Sequence, residues 1–417
     1  MHVSARLQVI IEVLDIFLAS RAPFDAILGK FFRDNGWIGS SDRREIAEFS
    51  YAMFRNFEKL KFFTSAITAN FGRFYVLTFL KLVKNLSSEK MAEIFCGRAY
   101  GPQKLTEFEL RFLDSLDLQR KIPLHVRLNY PSWLEPLLAA SFLPENLEEE
   151  MLAMNQEAPP VLRVNVIRAA RDVVRKMLAD SGFQVEETKM SHYGLRIDGR
   201  IGRDSAVISN GFAEMQDEGS QLIAEICRTE PGNTVVDFCA GAGGKTLALA
   251  AIMKNKGRIF AMDVSEKRLE RAQLRLRRAG VSNVFCQLIT NKWIKRHLGC
   301  ADVVLVDSPC SGTGAWRRNP DARARFTESD LEELILLQRE ILLSAVRLVK
   351  TGGRLVYATC SILTEENQRQ VEEFLRKFPG FRLLPVELPN YSGQFLRLTP
   401  HQHQTDGFFG AIFERTS

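Results

Sequence analysis

Residues 234–246 read TVVDFCAGAGGKT. An apolar, β-branched run closes on Asp237, and Gly241, Gly243 and Gly244 follow directly after it. This predicts a strand that feeds a tight turn, because glycine lets the backbone bend and approach a ligand where a side chain would not fit. The same rhythm continues downstream. RIFAMD at 258–263, ADVVLVD at 301–307 and GRLVYAT at 353–359 are further short apolar strands with helical segments between them. Such alternation predicts a parallel, doubly wound α/β sheet from about residue 205 onward. Ligands of these sheets sit beyond the C-terminal ends of the strands. Every candidate functional residue below falls at one of those ends.

Three cofactor loops compete for the glycine run, with a ligand-free glycine turn as the bland alternative. A phosphate-binding P-loop needs a glycine where Cys239 stands. A dinucleotide fingerprint needs its third glycine where Thr246 stands. The nucleoside loop of S-adenosylmethionine-dependent methyltransferases tolerates a D-x-x-x-G-x-G core, which Asp237, Gly241 and Gly243 supply. Asp263 closes the next strand, where an acid can accept bonds from ribose hydroxyls or serve only as a helix cap. The helix after it, SEKRLERAQLRLRRAG at 265–280, buries Leu269, Ala272 and Leu276 and crowds its other faces with Lys267, Arg268, Arg271, Arg275, Arg277 and Arg278. Most of these read as a solvated face paired with Glu266 and Glu270, and some as part of a phosphate-attracting field.

Outward from this core, the chain of 417 residues is long enough for several domains. It is 46% hydrophobic and 25% charged, which excludes disordered, collagenous and coiled-coil classes. Its formal charge of +6 is unevenly placed. Residues 251–300 hold twelve basic and three acidic side chains, and residues 51–100 hold eight and three, whereas residues 101–150 are acidic. Residues 1–130 read as helical, with Ile46, Phe49 and Met53 at helical spacing after Ser41-Asp42. Residues 131–204 read as a proline-containing connector followed by a small α/β module (strand PVLRVNV, helix AARDVVRKMLADSG, strand GLRIDG). Residues 205–417 read as the doubly wound domain. Glu12 and Asp15 interrupt the apolar N-terminal segment, and no run of 18 apolar residues occurs, so neither a signal peptide nor a membrane span is expected.

The seven cysteines, at 96, 227, 239, 286, 300, 310 and 360, are odd in number and form no CxxC pair. A disulfide framework, a zinc ribbon and a bound metal are not expected, and a reduced, cytoplasmic location is. Buried cysteines usually act as small hydrophobes. Cys310 and Cys360 differ because each directly follows an apolar strand and opens a polar loop, DSPCSGTG and ATCSILTEEN. A thiol beside a methyl donor suits carbon methylation of a pyrimidine. A thiolate adds to C6 of cytosine, C5 becomes enamine-like and attacks the sulfonium methyl, the C5 proton leaves, and the thiol is eliminated. Asp307, at the same strand end, is placed to balance charge near N3 of the base.

The PC and TC loops behind CAGAGGKT resemble the Sun (Fmu, RsmB) family of RNA cytosine-5 methyltransferases. The resemblance spans nearly the whole chain, through FAEMQDEGSQL at 212–222, DFCAGAGGKT at 237–246, DSPCSGTG at 307–314, RRNPD at 317–321, ATCSILTEEN at 358–367 and DGFFGAIFER at 406–415. SSDRREIAEFSYAMFRN at 40–56 resembles that family's NusB-like RNA-binding domain. The resemblance implies a Rossmann-like catalytic domain and S-adenosylmethionine as cofactor. It makes Cys360 the nucleophile, Cys310 the residue that helps expel product, and Asp307 the holder of the cytosine edge, with Lys245 near the catalytic centre. Cys239, Ala240, Gly241, Ala242, Gly243, Gly244 and Lys245 would wrap the methionine end of the cofactor. Asp263 and Arg268 would lie at its ribose, with Asp307 near the methyl donor. Two departures stand out. Ala242 replaces a proline of the usual loop. The usual acid after the third strand is missing from NVFCQLITNKW, where Ile289, Thr290 and Asn291 are the candidates and Thr290 is taken as the cofactor contact. The implied partner is RNA, foremost 16S ribosomal RNA, free or in early small-subunit particles, with the enzyme acting as a monomer. The alternatives are a transfer-RNA cytosine-5 methyltransferase, a reversed pair with Cys310 as nucleophile, and a non-catalytic RNA-binding assembly factor.

Overall fold

The computed structural model describes residues 1–98, 100–117 and 119–417. The chain divides into two compact units, Met1–Pro136 with Arg318–Phe326, and Leu137–Arg317 with Thr327–Ser417.

The first unit is helical. Val3–Leu18, Phe24–Asp34, Ser40–Phe54 and Phe71–Leu82 are its longest helices. Phe17, Phe24, Phe54 and Phe57 pack edge to face at its centre, with centroid separations of 4.7–6.5 Å. The segment 318–326 belongs to this unit, although the sequence pattern placed it with the doubly wound domain. Asp321 accepts a bond from the Phe24 backbone N–H at 3.1 Å. Arg323, 1% exposed, donates to the Asn129 carbonyl at 2.6 Å. Burial pulls the Arg323 pKa down to about 9. A guanidinium enclosed this way fixes the segment where its hydrogen bonds are.

Early in the second unit lies the helix Pro144–Met154. An antiparallel sheet of four strands follows, in the order β2-β3-β1-β4. The strands are β1 (Val161–Val164), β2 (Val185–Glu187), β3 (Gly194–Ile197) and β4 (Ala213–Met215). The helix Arg171–Asp180 covers it through Val174 and Leu178. The fourth strand lies beyond residue 204, so the α/β module reaches further along the chain than its sequence pattern indicated. β4 also carries Glu214, which pairs with Arg275 at 3.0 Å and with Arg278 at 2.5 Å. Those two arginines therefore find their acid here rather than in Glu266 or Glu270.

The large sheet runs β10-β14-β9-β8-β5-β6-β7, with β13 (Leu396–Leu398) paired to β14. Its strands are β5 (Thr234–Asp237), β6 (Arg258–Asp263), β7 (Val284–Leu288), β8 (Ala301–Asp307), β9 (Val349–Thr359), β10 (Phe381–Leu384) and β14 (Phe408–Arg415). A separate hairpin joins β11 (Val386–Leu388) to β12 (Tyr391–Gly393). β9, β8, β5, β6 and β7 are parallel. β14 runs antiparallel to β9 on one side and to β10 on the other, so the sheet is mixed rather than wholly parallel as expected. Val235, Val236, Val303, Val304, Leu305 and Val306 are fully buried, as strands covered by helices on both faces must be. The strand order turns between β5 and β8, and the crevice above that point holds the residues described next.

Arg317 ties three distant motifs together inside this unit. It is 6% exposed and bonds Asp406 at 2.5 Å, with Asp217 at 3.6 Å. Arg317→Met is expected to cost about 3–5 kcal/mol, because it removes a buried cation from two buried carboxylates. Urea unfolding at pH 7 checks this, and an unchanged midpoint would show that the pair contributes nothing net.

Candidate active site

After Asp237 the chain turns through Phe238–Gly243 and enters the helix Gly244–Ile252. Gly241 and Gly243 have φ of +55° and +78°, which explains glycine at both. At Gly243 a Cβ would also meet the Ala272 Cβ at 3.1 Å. The loop is pinned from the neighbouring strand end: the Gly241 N–H donates to Asp263 Oδ2 at 3.0 Å, and Asp263 Oδ1 accepts from the Ser265 N–H at 2.8 Å. Asp263 thus spends two of its roughly four acceptor positions on the protein and keeps the others for a ligand. Arg268 Nη1 lies 3.7 Å from the same carboxylate.

Lys245 stands in the first turn of that helix. Its Nζ is 2.7 Å from Asp307 Oδ2, at the end of β8, and 5.4 Å from the centre of the Phe408 ring. Burial works against the ammonium, but the Asp307 charge and hydrogen bond outweigh it and hold the Lys245 pKa above its usual value. Cys310 and Cys360 leave the ends of β8 and β9, and their sulfurs are 3.4 Å apart. The bond to Cys360, burial, and the negative charges of Cys360 and Glu366 keep the Cys310 thiol well above the ordinary thiol range. Burial, with Asp237, Asp307 and Asp263 nearby, raises Cys239 as well.

One cavity of about 420 Å³ joins these groups. Cys239, Lys245, Asp263, Arg268, Asp307, Cys310 and Cys360 all line it. Val264, Ile289, Pro309, Leu337 and Ile341 give it an apolar wall, of which only Ile289 was a candidate cofactor contact from the sequence. Ala240, Ala242, Gly243 and Gly244 are not among its lining residues; they shape the turn, and the Ala242 carbonyl accepts from Arg275 at 2.8 Å. The Thr290 hydroxyl caps the helix Asn291–Arg296 by accepting from the Trp293 N–H at 3.2 Å, and its neighbour Ile289 lines the cavity. Among the described residues, no group of three His, Cys, Asp or Glu side chains could hold a metal ion, and no helix is long and apolar enough to cross a membrane.

Asp237 lies beneath the cavity, fully buried. Oδ2 accepts from the Thr246 hydroxyl at 2.6 Å, and Oδ1 has no partner among the described residues. Burial carries its pKa up to about 7, against the pull of the Thr246 bond and with a further push from Asp307. A folded-state pKa above the unfolded one contributes stability that is complete below about pH 4 and declines until about pH 7. Asp237→Asn mimics the neutral acid. From pH 5 to 8 the wild-type melting temperature is expected to fall relative to that of Asp237→Asn, and parallel curves would contradict the assignment.

Known proteins match along the chain. Residues 224–414 match the family described as 16S rRNA methyltransferase RsmB/F, and residues 130–202 match the RsmF/B-like ferredoxin-like domain. A probable ribosomal RNA small subunit methyltransferase B of Synechocystis is 32% identical over 353 residues, covering 82% of this chain and 78% of the relative. The chain belongs to the RsmB/F family of 16S rRNA methyltransferases. Ribosomal RNA small subunit methyltransferase B of Pectobacterium atrosepticum is 33% identical, covering 70% of this chain and 68% of its own. The crystal structure of PH0851 is 28% identical with a TM-score of 0.80, over 100% of this chain and 99% of that one. A methyltransferase homolog from Pyrococcus horikoshii is also 28% identical, with a TM-score of 0.62 over 70% of this chain and 97% of that one. The resemblance carried by the PC, TC and glycine-loop motifs therefore holds, and S-adenosylmethionine is the family's methyl donor. The cavity fits that donor: it offers an apolar wall for a purine, a carboxylate with free acceptor positions at the second strand end, and an open glycine turn beside it.

Proposed function

We propose that this protein methylates C5 of a cytosine in 16S ribosomal RNA, through a transient bond between Cys360 and C6 of the base. The observation that carries the proposal is the thiol pair, with sulfurs 3.4 Å apart in the same cavity as the Lys245–Asp307 pair. Cys360 attacks as thiolate, and electrons pushed through the ring are balanced at N3 by the Asp307–Lys245 pair, which carries both an acceptor and protons. Bound S-adenosylmethionine supplies an electrophilic methyl group on its sulfonium. Asp263 and Arg268 hold its ribose end, and the turn from Cys239 to Lys245 holds its methionine end. Water then takes the C5 proton, the C5–C6 double bond re-forms as the Cys360–C6 bond breaks, and Cys310, kept as a neutral thiol, donates to the departing Cys360 thiolate. The target base must leave its stack to reach this depth.

The helical residues 1–130 act as a NusB-like RNA-binding domain, residues 131–204 as connector and module, and residues 205–417 as the catalytic domain. The reaction belongs in the reducing cytoplasm, where Cys360 stays a free thiol. The test is methyl transfer from labelled S-adenosylmethionine to 16S ribosomal RNA, free and in early small-subunit particles, followed by nucleoside analysis. Labelled 5-methylcytidine is the expected product. Label confined to transfer RNA would overturn the substrate, and label in another nucleoside would overturn the chemistry.

A further inference from the structure

Six residues after Cys360 lies a carboxylate that is bound to both cysteine loops. Glu366 is fully buried. Its Oε1 accepts from the Ser311 backbone N–H at 2.8 Å and from Gln338 Nε2 at 2.9 Å. Its Oε2 accepts from the hydroxyls of Ser311 and Ser361, each at 2.5 Å. Ser311 directly follows Cys310, and Ser361 directly follows Cys360. Gln338 also donates to the carbonyl of Pro309, the residue before Cys310, at 3.0 Å. The backbone of Glu366 is held in turn by the buried Tyr357 hydroxyl, which donates to its carbonyl at 2.6 Å.

We propose that Glu366 is a positioning residue that sets the relative placement of the Cys310 and Cys360 sulfurs, a role that rests on the thiol assignments above. Among the described residues its carboxylate has no cation partner. A buried charge of that kind is costly unless several donors converge on it, and here the donors come from the two loops that must be held in register. A neutral side chain of the same size keeps the packing but has one acceptor oxygen and an amide that confronts hydroxyl and N–H donors. The groups that act electrostatically on Cys310 are Cys360, Glu366 and the neighbouring Tyr357, while Lys245 and Asp307 share its cavity.

The test uses the full-length protein and the variants Glu366→Gln and Glu366→Asp. The first measurement needs no RNA: iodoacetamide labelling of Cys310 against pH, mapped by peptide mass. Removing the charge is expected to move the Cys310 profile about one unit toward lower pH in Glu366→Gln, and to leave it in place in Glu366→Asp. On 16S ribosomal RNA, both variants are expected to lose kcat by about a hundredfold, the effect of a misplacement near 1 Å, with KM for RNA and S-adenosylmethionine unchanged. If Glu366→Gln does not fold, the double change Ser311→Ala with Ser361→Ala cuts the same ties while keeping the charge, and is expected to lower kcat at constant KM. Wild-type kcat in whichever variant folds, or an unmoved Cys310 profile in a folded Glu366→Gln, overturns the proposal. Failure of the wild-type protein to make 5-methylcytidine would sink the cytosine chemistry instead, and the labelling profile would still report on Glu366.

Discussion

Cys310→Ala is expected to leave RNA attached to the protein. In the proposed sequence Cys360 bonds C6, C5 takes the methyl group, and only then must the Cys360–C6 bond break. The leaving sulfur departs more readily when an S–H donor meets it, and Cys310 Sγ at 3.4 Å from Cys360 Sγ is that donor. Alanine keeps the attack and removes the donor. A denaturing gel of Cys310→Ala with 16S ribosomal RNA and S-adenosylmethionine should therefore show a slow-migrating protein–RNA band absent from wild type, with turnover reduced by on the order of 10²-fold or more. A variant that turns over at the wild-type rate, or is slow without any adduct, would remove Cys310 from the release step.

The second large effect is at the other sulfur. Cys360→Ser is expected to reduce methyl transfer by on the order of 10⁴-fold or more, since a hydroxyl with no paired base is a poor nucleophile near neutral pH while a thiolate is a strong one. No His stands among the residues lining the cavity, so serine would lack the general base that activates it elsewhere. Binding of S-adenosylmethionine, read by calorimetry, should change little, because the proposed cofactor contacts lie at Asp263, Arg268 and the turn from Cys239. Activity retained in Cys360→Ser and lost in Cys310→Ser would mean that the two thiols exchange roles.

Much of the site was legible because it obeys local rules. Strand ends are marked by apolar runs that stop at Asp237, Asp263, Asp307 and Thr359, and the strand order then brings all four ends to one crevice. What escaped depends on partners far along the chain. The β14 strand FFGAIFER is apolar enough for a buried strand, but its antiparallel placement beside β9 is decided by pairing such as Phe409 with Thr359, which no local pattern announces. Thr290 read as a polar stand-in for a missing acid, yet a threonine before a short helix is first of all a cap. Residues 318–326 read as part of the doubly wound domain, while the buried bonds of Asp321 and Arg323 place them in the helical unit. Glu366 looked like one acid in TEEN, and its importance appears only when Ser311, 55 positions away in sequence, is found on its carboxylate. The serine after each cysteine was the available signal.

The central claim is that the Cys360 sulfur bonds C6 of a cytosine. Ribosomal RNA containing 5-fluorocytidine tests it most directly, because fluorine at C5 cannot leave as a proton does and the adduct persists after methyl transfer. Wild-type protein is incubated with this RNA and S-adenosylmethionine, digested with protease and nuclease, and the nucleotide-bearing peptide is sequenced by mass spectrometry. A methylated fluorocytidine on Cys360 is the predicted result. The same nucleotide on Cys310, or no nucleotide on either thiol, would contradict it.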